Sequence, residues 1–395
     1  MRIVRLANFV MPRSGGLRTA LRCLGEGYLA AGHEPVMIVP GPEMSDEMTP
    51  HGRVITLPGP EVPGSGGYRL LITGRRRLTK LLDRLEPDHI EVSDRSTLRW
   101  TGRWARDRGV PSMMVSHESL AGLLTVWGVP ESIRVGFADL ANKRTARAYD
   151  RIVCTTAWAA AEFRRLGVEN LVEVPLGVDL ETFHPSRRDH EVRARYAADD
   201  EVLLVHCSRL SGEKHPEIAV DTVAALRDAG VPAVLVVVGD GPRREALEQR
   251  AAGLPVRFLG FVADRNDVAN LLACADVVVA PGPVETFGLA ALESLACGSP
   301  VVVNAASALP EVVGPAGVAA EGTGAAFAEG VLKLLDRAES PRRAAARARA
   351  EQFSWPAAVE GFLRAHGAPA RAGHPGPSAS GASATNSVPA GSAVC

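Results

Sequence analysis

The chain has 395 residues, of which 46% are hydrophobic, 23% charged and 5% aromatic, and its net charge is −1. That length suits two domains with ample apolar material for two cores. The near-neutral charge argues against bulk nucleic-acid binding, and the few aromatic residues argue against a base-stacking platform. Met1–Pro175 carry 24 Lys and Arg against 19 Asp and Glu, and the remainder carries 20 against 26. Chance explains that imbalance as well as an anion-facing N-terminal domain does.

The six cysteines, Cys23, Cys154, Cys207, Cys274, Cys297 and Cys395, contain no CxxC pair. Most of them sit in apolar surroundings and read as buried thiols of a reducing compartment. No apolar run approaches the roughly 20 residues of a membrane span, and Ile3–Phe9 is too short and too charged for a signal peptide. The expected location is cytoplasmic, at most peripheral on the inner face of the plasma membrane.

Short β-branched runs alternate with helical patterns, as in parallel α/β domains. Ile3–Phe9 predicts a strand, Ser14-Gly15-Gly16 a turn and Leu17–Ala31 a helix, followed by strands at Glu34–Val39, Ile90–Ser93, Ser112–Ser116 and Arg151–Thr155. A second series places strands at Leu203–Cys207, Ala233–Val238, Arg257–Phe258, Val277–Ala280 and Val301–Asn304. Helices are predicted between them at Pro216–Ala229, Pro242–Ala252, Asn266–Cys274 and Gly288–Ala296. The expected division is 1–180, 181–365 and a Gly/Ala/Ser/Pro tail, 366–395, too poor in apolar side chains to offset its ordering entropy. Phe353, Trp355, Val359 and Phe362 suggest a last helix before that tail.

Candidate chemistry gathers behind strand ends. Glu285 and Glu293 span a loop and the start of a helix, with Phe287, Gly288 and Leu289 between them. Gly288 permits close backbone approach, and a helix N-terminus offers amides to a phosphate. The two carboxylates could grip hydroxyls at both ends of a sugar nucleotide, although the spacing alone fits an ordinary acidic loop equally well. Arg209 and Lys214 follow strand Leu203–Cys207, where an open parallel sheet binds ligands, and two cations there suit a diphosphate. Gly15 and Gly16 behind the first strand would let backbone approach an anion, though a plain tight turn explains them too. His117 directly follows strand Ser112–Ser116, a cleft-facing position that a structural histidine could also occupy. No metal-ligand cluster or HExxH spacing occurs, so no metal and no cofactor are expected. Leu78, Leu81, Leu82 and Leu85 recur at helical spacing beside Arg75, Arg76, Arg77, Lys80 and Arg84. Core packing with a solvated basic end and docking on anionic lipid both stay open for this helix.

Together with Val238-Gly-Asp-Gly-Pro242 and Phe258-Leu-Gly-Phe261, these motifs resemble the retaining glycosyltransferase family 4 from Met1 to about Phe362. The resemblance implies the GT-B fold, an α/β architecture of two Rossmann-like domains whose parallel sheets face a central cleft, with a C-terminal helix crossing back. Within the family the chain is most similar to actinobacterial mannosyltransferases that use GDP-mannose to add an α-1,6-mannose to phosphatidylinositol dimannoside. Ala7-Asn-Phe9, Pro12-Arg-Ser-Gly-Gly-Leu-Arg-Thr19, Glu91-Val-Ser-Asp-Arg95, Pro175-Leu-Gly-Val-Asp179, Phe183-His-Pro185 and Ala280-Pro-Gly-Pro283 carry that likeness. It implies that Arg209 and Lys214 hold the donor diphosphate, Glu285 and the amides around Phe287–Leu289 the sugar, and Glu293 the ribose. Gly15 and Gly16 would approach the diphosphate, Val262 and Asp264 would lie near the base, and His117 would touch the donor sugar and the reacting centre, making His117, Arg209, Lys214 and Glu285 the implied catalytic residues. His215 stands where many members have glycine. The implied partners are GDP-mannose, a phosphoinositide glycolipid acceptor reached through Arg75, Arg76, Arg77 and Lys80 at an anionic membrane surface, and no nucleic acid. The competing expectations are a UDP-sugar donor with a soluble acceptor such as inositol phosphate, and a sugar-nucleotide epimerase.

Overall fold

A computed structural model describes residues 1–10, 15–62, 67–72, 74–126 and 130–368. Ser14 of the predicted turn, the Pro12-Arg13 part of the N-terminal motif and the tail beyond Ala368 lie outside the described residues.

Strands β1 (Arg2–Ala7), β2 (Glu34–Gly41), β3 (Ser45–Thr49), β4 (Gly52–Pro58), β5 (His89–Ser93), β6 (Ser112–Ser116), β7 (Arg151–Cys154) and β8 (Leu171–Glu173) form one sheet. Its order is β3-β4-β2-β1-β5-β6-β7-β8, parallel throughout except for β3, which runs antiparallel to β4. The second sheet joins β9 (Val202–Cys207), β10 (Ala233–Val238), β11 (Val256–Gly260), β12 (Val277–Ala280), β13 (Val301–Asn304) and β14 (Gly317–Ala320) in the order β11-β10-β9-β12-β13-β14. All its pairings are parallel. Numbered within its own domain, the second sheet runs 3-2-1-4-5-6, the doubly wound order. The first sheet repeats it with β3 added at one edge and β8 at the other.

Helices on both faces explain why the central strands read as continuous apolar runs. All six residues of β10, Ala-Val-Leu-Val-Val-Val, are buried. The strands missing from the sequence prediction lie at or near sheet edges. β3 reads Ser-Asp-Glu-Met-Thr and is largely exposed, β8 has three residues, and β14 is a Gly/Ala-rich edge.

Helix Arg75–Leu85 buries Leu78, Leu82 and Leu85 against the first sheet and ends at left-handed Glu86, before Pro87. Helix Trp355–His366 begins where the Ser354 side chain accepts a bond from the Ala357 amide. It leaves the second domain and packs on helix Gly16–Ala30 of the first. A Cβ at Gly27 would stand 2.2 Å from Val359 Cγ2, so the missing side chain is what lets the two helices meet.

That helix corrects the expected tail boundary. His366 belongs to the helix, is 5% exposed, and its Nε2 lies 3.3 Å from Glu91 Oε2. Glu91 on β5 also accepts bonds from Arg5 Nε (2.8 Å) and Tyr28 Oη (2.8 Å). Burial pushes the Glu91 carboxyl up, but Arg5 and His366 outweigh it and hold the group at about 2. Composition places His366 in the tail, yet its imidazole completes this buried network and ties the chain end to the N-terminal sheet.

Candidate active site

Two loops of the second domain flank the point where strand order reverses, between β9 and β12. One follows β9 and carries Arg209 and Lys214; the other follows β12 and carries Glu285. Ligands of open parallel sheets bind beyond the strand ends at such a point. The loops meet there, with Lys214 Nζ 2.5 Å from Glu285 Oε1. A Cβ at Gly282 would lie 3.4 Å from Glu285 Cγ and 3.5 Å from the Lys214 Cα, so the backbones are close as well.

Lys214 closes a single 3-10 turn, Gly212–Lys214, which His215 ends in the left-handed conformation (φ 47°). Histidine tolerates that region better than most residues, and Glu217 Oε1, 3.0 Å from its Nδ1, steadies the ring. His215 thus takes the backbone shape a glycine would supply.

Arg209 is held from two sides. Glu213 accepts an ion pair from its guanidinium, and Ser211 Oγ donates to the same carboxylate oxygen at 2.6 Å. Across the cleft, the Tyr68 ring of the first domain faces the guanidinium, 4.8 Å from its carbon to the ring centroid. Neither Glu213 nor Tyr68 figures in the sequence reading. Glu213 could have been found, since a carboxylate four residues after an arginine in a short turn folds back onto it.

Helix Leu289–Ala296 starts at Gly288 with φ 77° and no side-chain cap, so its first amides point at the cleft without an intrahelical partner. Gly288→Ala would add a Cβ 2.1 Å from Leu309 Cδ2 in left-handed backbone. The expected cost is about 1–3 kcal/mol, read as a lower denaturation midpoint; an unchanged midpoint would show that the loop is not fixed there.

Glu293 sits one helical turn further in and pairs with Arg265 at 3.0 Å. Burial pushes its carboxyl up to about 7, against the pull of Arg265. Arg265 is a partner that sequence spacing could not reveal, being brought in by a different helix. Asp264 spends its carboxylate capping that helix, accepting from the Asn266 amide at 2.8 Å. Val262 is half-buried beside it.

From the first domain, Gly16 opens its helix opposite Leu289, whose Cδ1 would be 3.7 Å from a Cβ there. Gly15 precedes it with φ 113°, and no atom of the described residues lies within 4 Å of where a Cβ would stand. The backbone carbonyl of His117 accepts from Thr286 Oγ1 at 2.6 Å, which anchors the loop after β6 to the Glu285 loop. The imidazole Nε2 is buried without a hydrogen-bond partner among the described residues, and burial lowers its pKa to about 4. His117 is therefore a neutral imidazole at physiological pH. Thr156 Oγ1 donates to the Thr286 carbonyl at 2.9 Å, and Glu311 accepts from the Ala157 and Trp158 amides at 2.9 and 3.0 Å. These bonds knit the domains at the base of the cleft.

The structure thus brings Gly16, His117, Arg209, Lys214, Glu285, Phe287, Gly288 and Leu289 to one cleft. Glu293, Val262 and Asp264 extend it along the second domain. Arg75, Arg76, Arg77 and Lys80 are exposed on a separate helix, where the Arg75 guanidinium lies 5.9 Å from the Trp100 ring centroid. No helix among the described residues is long and apolar enough to cross a membrane.

Residues 188–351 match the family model for glycosyl transferases group 1, and residues 14–182 match that for Glycosyltransferase Family 4. A Mycobacterium tuberculosis GDP-mannose-dependent alpha-(1-6)-phosphatidylinositol dimannoside mannosyltransferase is 52% identical over 93% of this chain and 96% of its own. A D-inositol 3-phosphate glycosyltransferase of Geodermatophilus obscurus is 35% identical over 72% of this chain and 68% of its own. Among solved structures, sucrose-phosphate synthase from Thermosynechococcus elongatus superposes with a TM-score of 0.74 at 22% identity, covering 92% of this chain and 98% of that one. This likeness and that to WaaG (TM-score 0.67, 18% identity, 94% and 100% coverage) identify the two-domain arrangement as GT-B.

Proposed function

The chain belongs to glycosyltransferase family 4, and on that premise we propose that it transfers mannose from GDP-mannose to a phosphatidylinositol mannoside, with retention and an α-1,6 linkage. The observation that carries the transferase reading is the pairing of Lys214 with Glu285 at the switch point, beside Arg209 and an uncapped helix N-terminus. Donor and acceptor follow the mycobacterial relative, whose identity and coverage exceed those of the inositol phosphate enzyme.

In this reading the donor diphosphate lies between Arg209, Lys214 and the amides at Phe287–Leu289. Charge grows on its leaving oxygen as the bond to the sugar breaks, and these groups stabilise it without reorganising. Glu285 accepts from sugar hydroxyls. His117, neutral and with Nε2 unpaired among the described residues, hydrogen-bonds the sugar from the opposite domain. The acceptor hydroxyl attacks from the face the diphosphate leaves and passes its proton to that leaving group, so no side-chain nucleophile is needed. Gly15 and Gly16 let the first domain close on the diphosphate, and Val262 and Asp264 border the base. The acceptor approaches from a membrane surface at Arg75, Arg76, Arg77 and Lys80, each worth roughly 1 kcal/mol near anionic lipid.

Glu293, as the ribose acceptor, binds best when ionised. With its carboxyl at about 7 in the free protein, donor affinity is expected to rise with pH through neutrality and to level off above it. The sign for stability is opposite. A carboxyl raised above its unfolded value contributes stability below about pH 4.5 that is lost as pH rises through 7. Calorimetric titration of GDP-mannose from pH 6 to 8 reads the binding effect, and a slope that survives in Glu293→Gln would assign it to another group.

The test of donor choice is direct. Purified protein given GDP-mannose or UDP-sugars should bind and turn over GDP-mannose alone; turnover with a UDP-sugar alone would remove the mannosyl reading and leave the transferase fold intact.

A further inference from the structure

Helix Glu131–Ala148 buries small side chains and leaves large ones outside. It turns Ala138, Asn142 and Thr145 toward the protein, while Ile133, Phe137 and Leu140 are 61%, 58% and 48% exposed. Those three recur at i, i+4 and i+7, and Arg144 and Arg147 continue the same stripe, with Lys143 beside it. All three cations are exposed. The acidic residues nearby do not cancel them: Asp139 is paired with Arg165, and Glu131 lies at the helix start, 3.8 Å from Arg134.

The stripe lies in the helical layer that carries the basic cluster. Helices Arg75–Leu85 and Trp100–Asp107 are joined by Trp104 Nε1 donating to Asp83 at 3.2 Å, and Trp100–Asp107 packs in turn on Glu131–Ala148. Because helices run antiparallel to the strands of a parallel sheet, Arg75 and Ile133 both mark the cleft-side ends of their helices. Met44 and Ile72, 59% and 57% exposed, flank the basic cluster, with Met44 Sδ 3.6 Å from Arg77 Nη2. Helix Leu120–Val126 links stripe to site, contacting Glu131–Ala148 on one side and the Lys214 turn on the other. Exposed large apolar side chains bordered by cations and set beside a cleft have the chemistry of a patch that docks on anionic lipid.

We propose that the Ile133–Phe137–Leu140 face inserts into the headgroup boundary of an anionic bilayer, with Lys143, Arg144 and Arg147 on the lipid charge, so that the cleft opens at the membrane plane. This deepens the mannosyl-lipid reading and rests on it for why a membrane is met at all. A lipid acceptor would then present its sugars to the Lys214 side while its acyl chains stay in the bilayer.

The experiment measures sedimentation of the full chain with phosphatidylcholine vesicles that contain or lack phosphatidylglycerol. Wild-type protein is expected to bind the anionic vesicles. The variant I133S/F137S/L140S should bind them about tenfold or more weakly, while its melting temperature and GDP-mannose affinity stay unchanged. In a Phe137→Trp protein, emission should shift to the blue on adding anionic vesicles and be quenched by brominated acyl chains. Equal vesicle binding by the triple variant, or no quenching, overturns the proposal. So does a solution dimer that the triple variant dissociates, which would make the stripe a contact between copies. Vesicle binding through the stripe without mannose transfer would sink the mannosyl-lipid reading alone. Transfer to lipid with vesicle binding untouched by the triple variant would sink the docking face alone.

Discussion

Lys214→Ala is expected to lower kcat/KM for mannosyl transfer by roughly 10²–10³-fold, the range for removing one preorganised group that stabilises developing charge. The loss should fall mainly on kcat, because the ammonium matters most as the diphosphate takes up charge. Two features make the site unforgiving. Lys214 sits at the end of a single turn fixed by left-handed His215, and its ammonium also answers Glu285 across the loop. Without it Glu285 loses that cation and repels the incoming diphosphate. Lys214→Arg should recover little, since a planar fork does not replace a point charge in so short a turn. Steady-state kinetics with GDP-mannose decide the matter, and a loss smaller than about threefold would remove Lys214 from the transition state.

Glu91→Ala is expected to destabilise the N-terminal domain by about 3–5 kcal/mol, the cost of leaving a buried partner charge uncompensated. Arg5 is 1% exposed, bonded to Glu91 and to the Leu21 carbonyl at 2.6 Å, and has no water to turn to. The same deletion frees Tyr28 Oη and the His366 ring, loosening the C-terminal helix. Replacing both charges, as in R5M/E91L, should cost much less than Glu91→Ala alone. The ionised Glu91 contribution is present above about pH 4.5, the unfolded value, and is lost as pH falls through 2. Chemical denaturation of the three proteins reads both effects, and a double variant no more stable than Glu91→Ala would contradict the uncompensated-charge account.

The parts of the fold that sequence revealed are those with a strong local signal. Strands such as β10 and β12 are unbroken apolar runs, and the loops after β9 and β12 carry charged residues whose meaning comes from their combination, since each alone fits an ordinary loop. What stayed hidden depends on contacts between distant segments. His366 lies in a Gly- and Ala-rich stretch whose composition suggests disorder, and only the fold brings it to Glu91, 275 positions away. Tyr68 reaches Arg209 across the cleft, and Arg265 reaches Glu293 from another helix. Asp264 is a candidate ligand through the family resemblance, but Asp is also a favoured cap at the head of a helix, and its carboxylate is occupied in that role. The stripe Ile133–Phe137–Leu140 has helical spacing that would normally mean core, whereas the fold turns the small residues inward and leaves the large ones outside.

One reaction tests mannose transfer from GDP-mannose to a phosphoinositide glycolipid. Purified protein is incubated with GDP-mannose and phosphatidylinositol dimannoside in anionic vesicles, and the lipid product is analysed by mass spectrometry and NMR. The expected product is a lipid heavier by one hexose, α-configured at a 6-position, that is not formed by Lys214→Ala or Glu285→Ala. Sugar appearing only on soluble inositol phosphate, or a product of inverted configuration, would contradict that reaction.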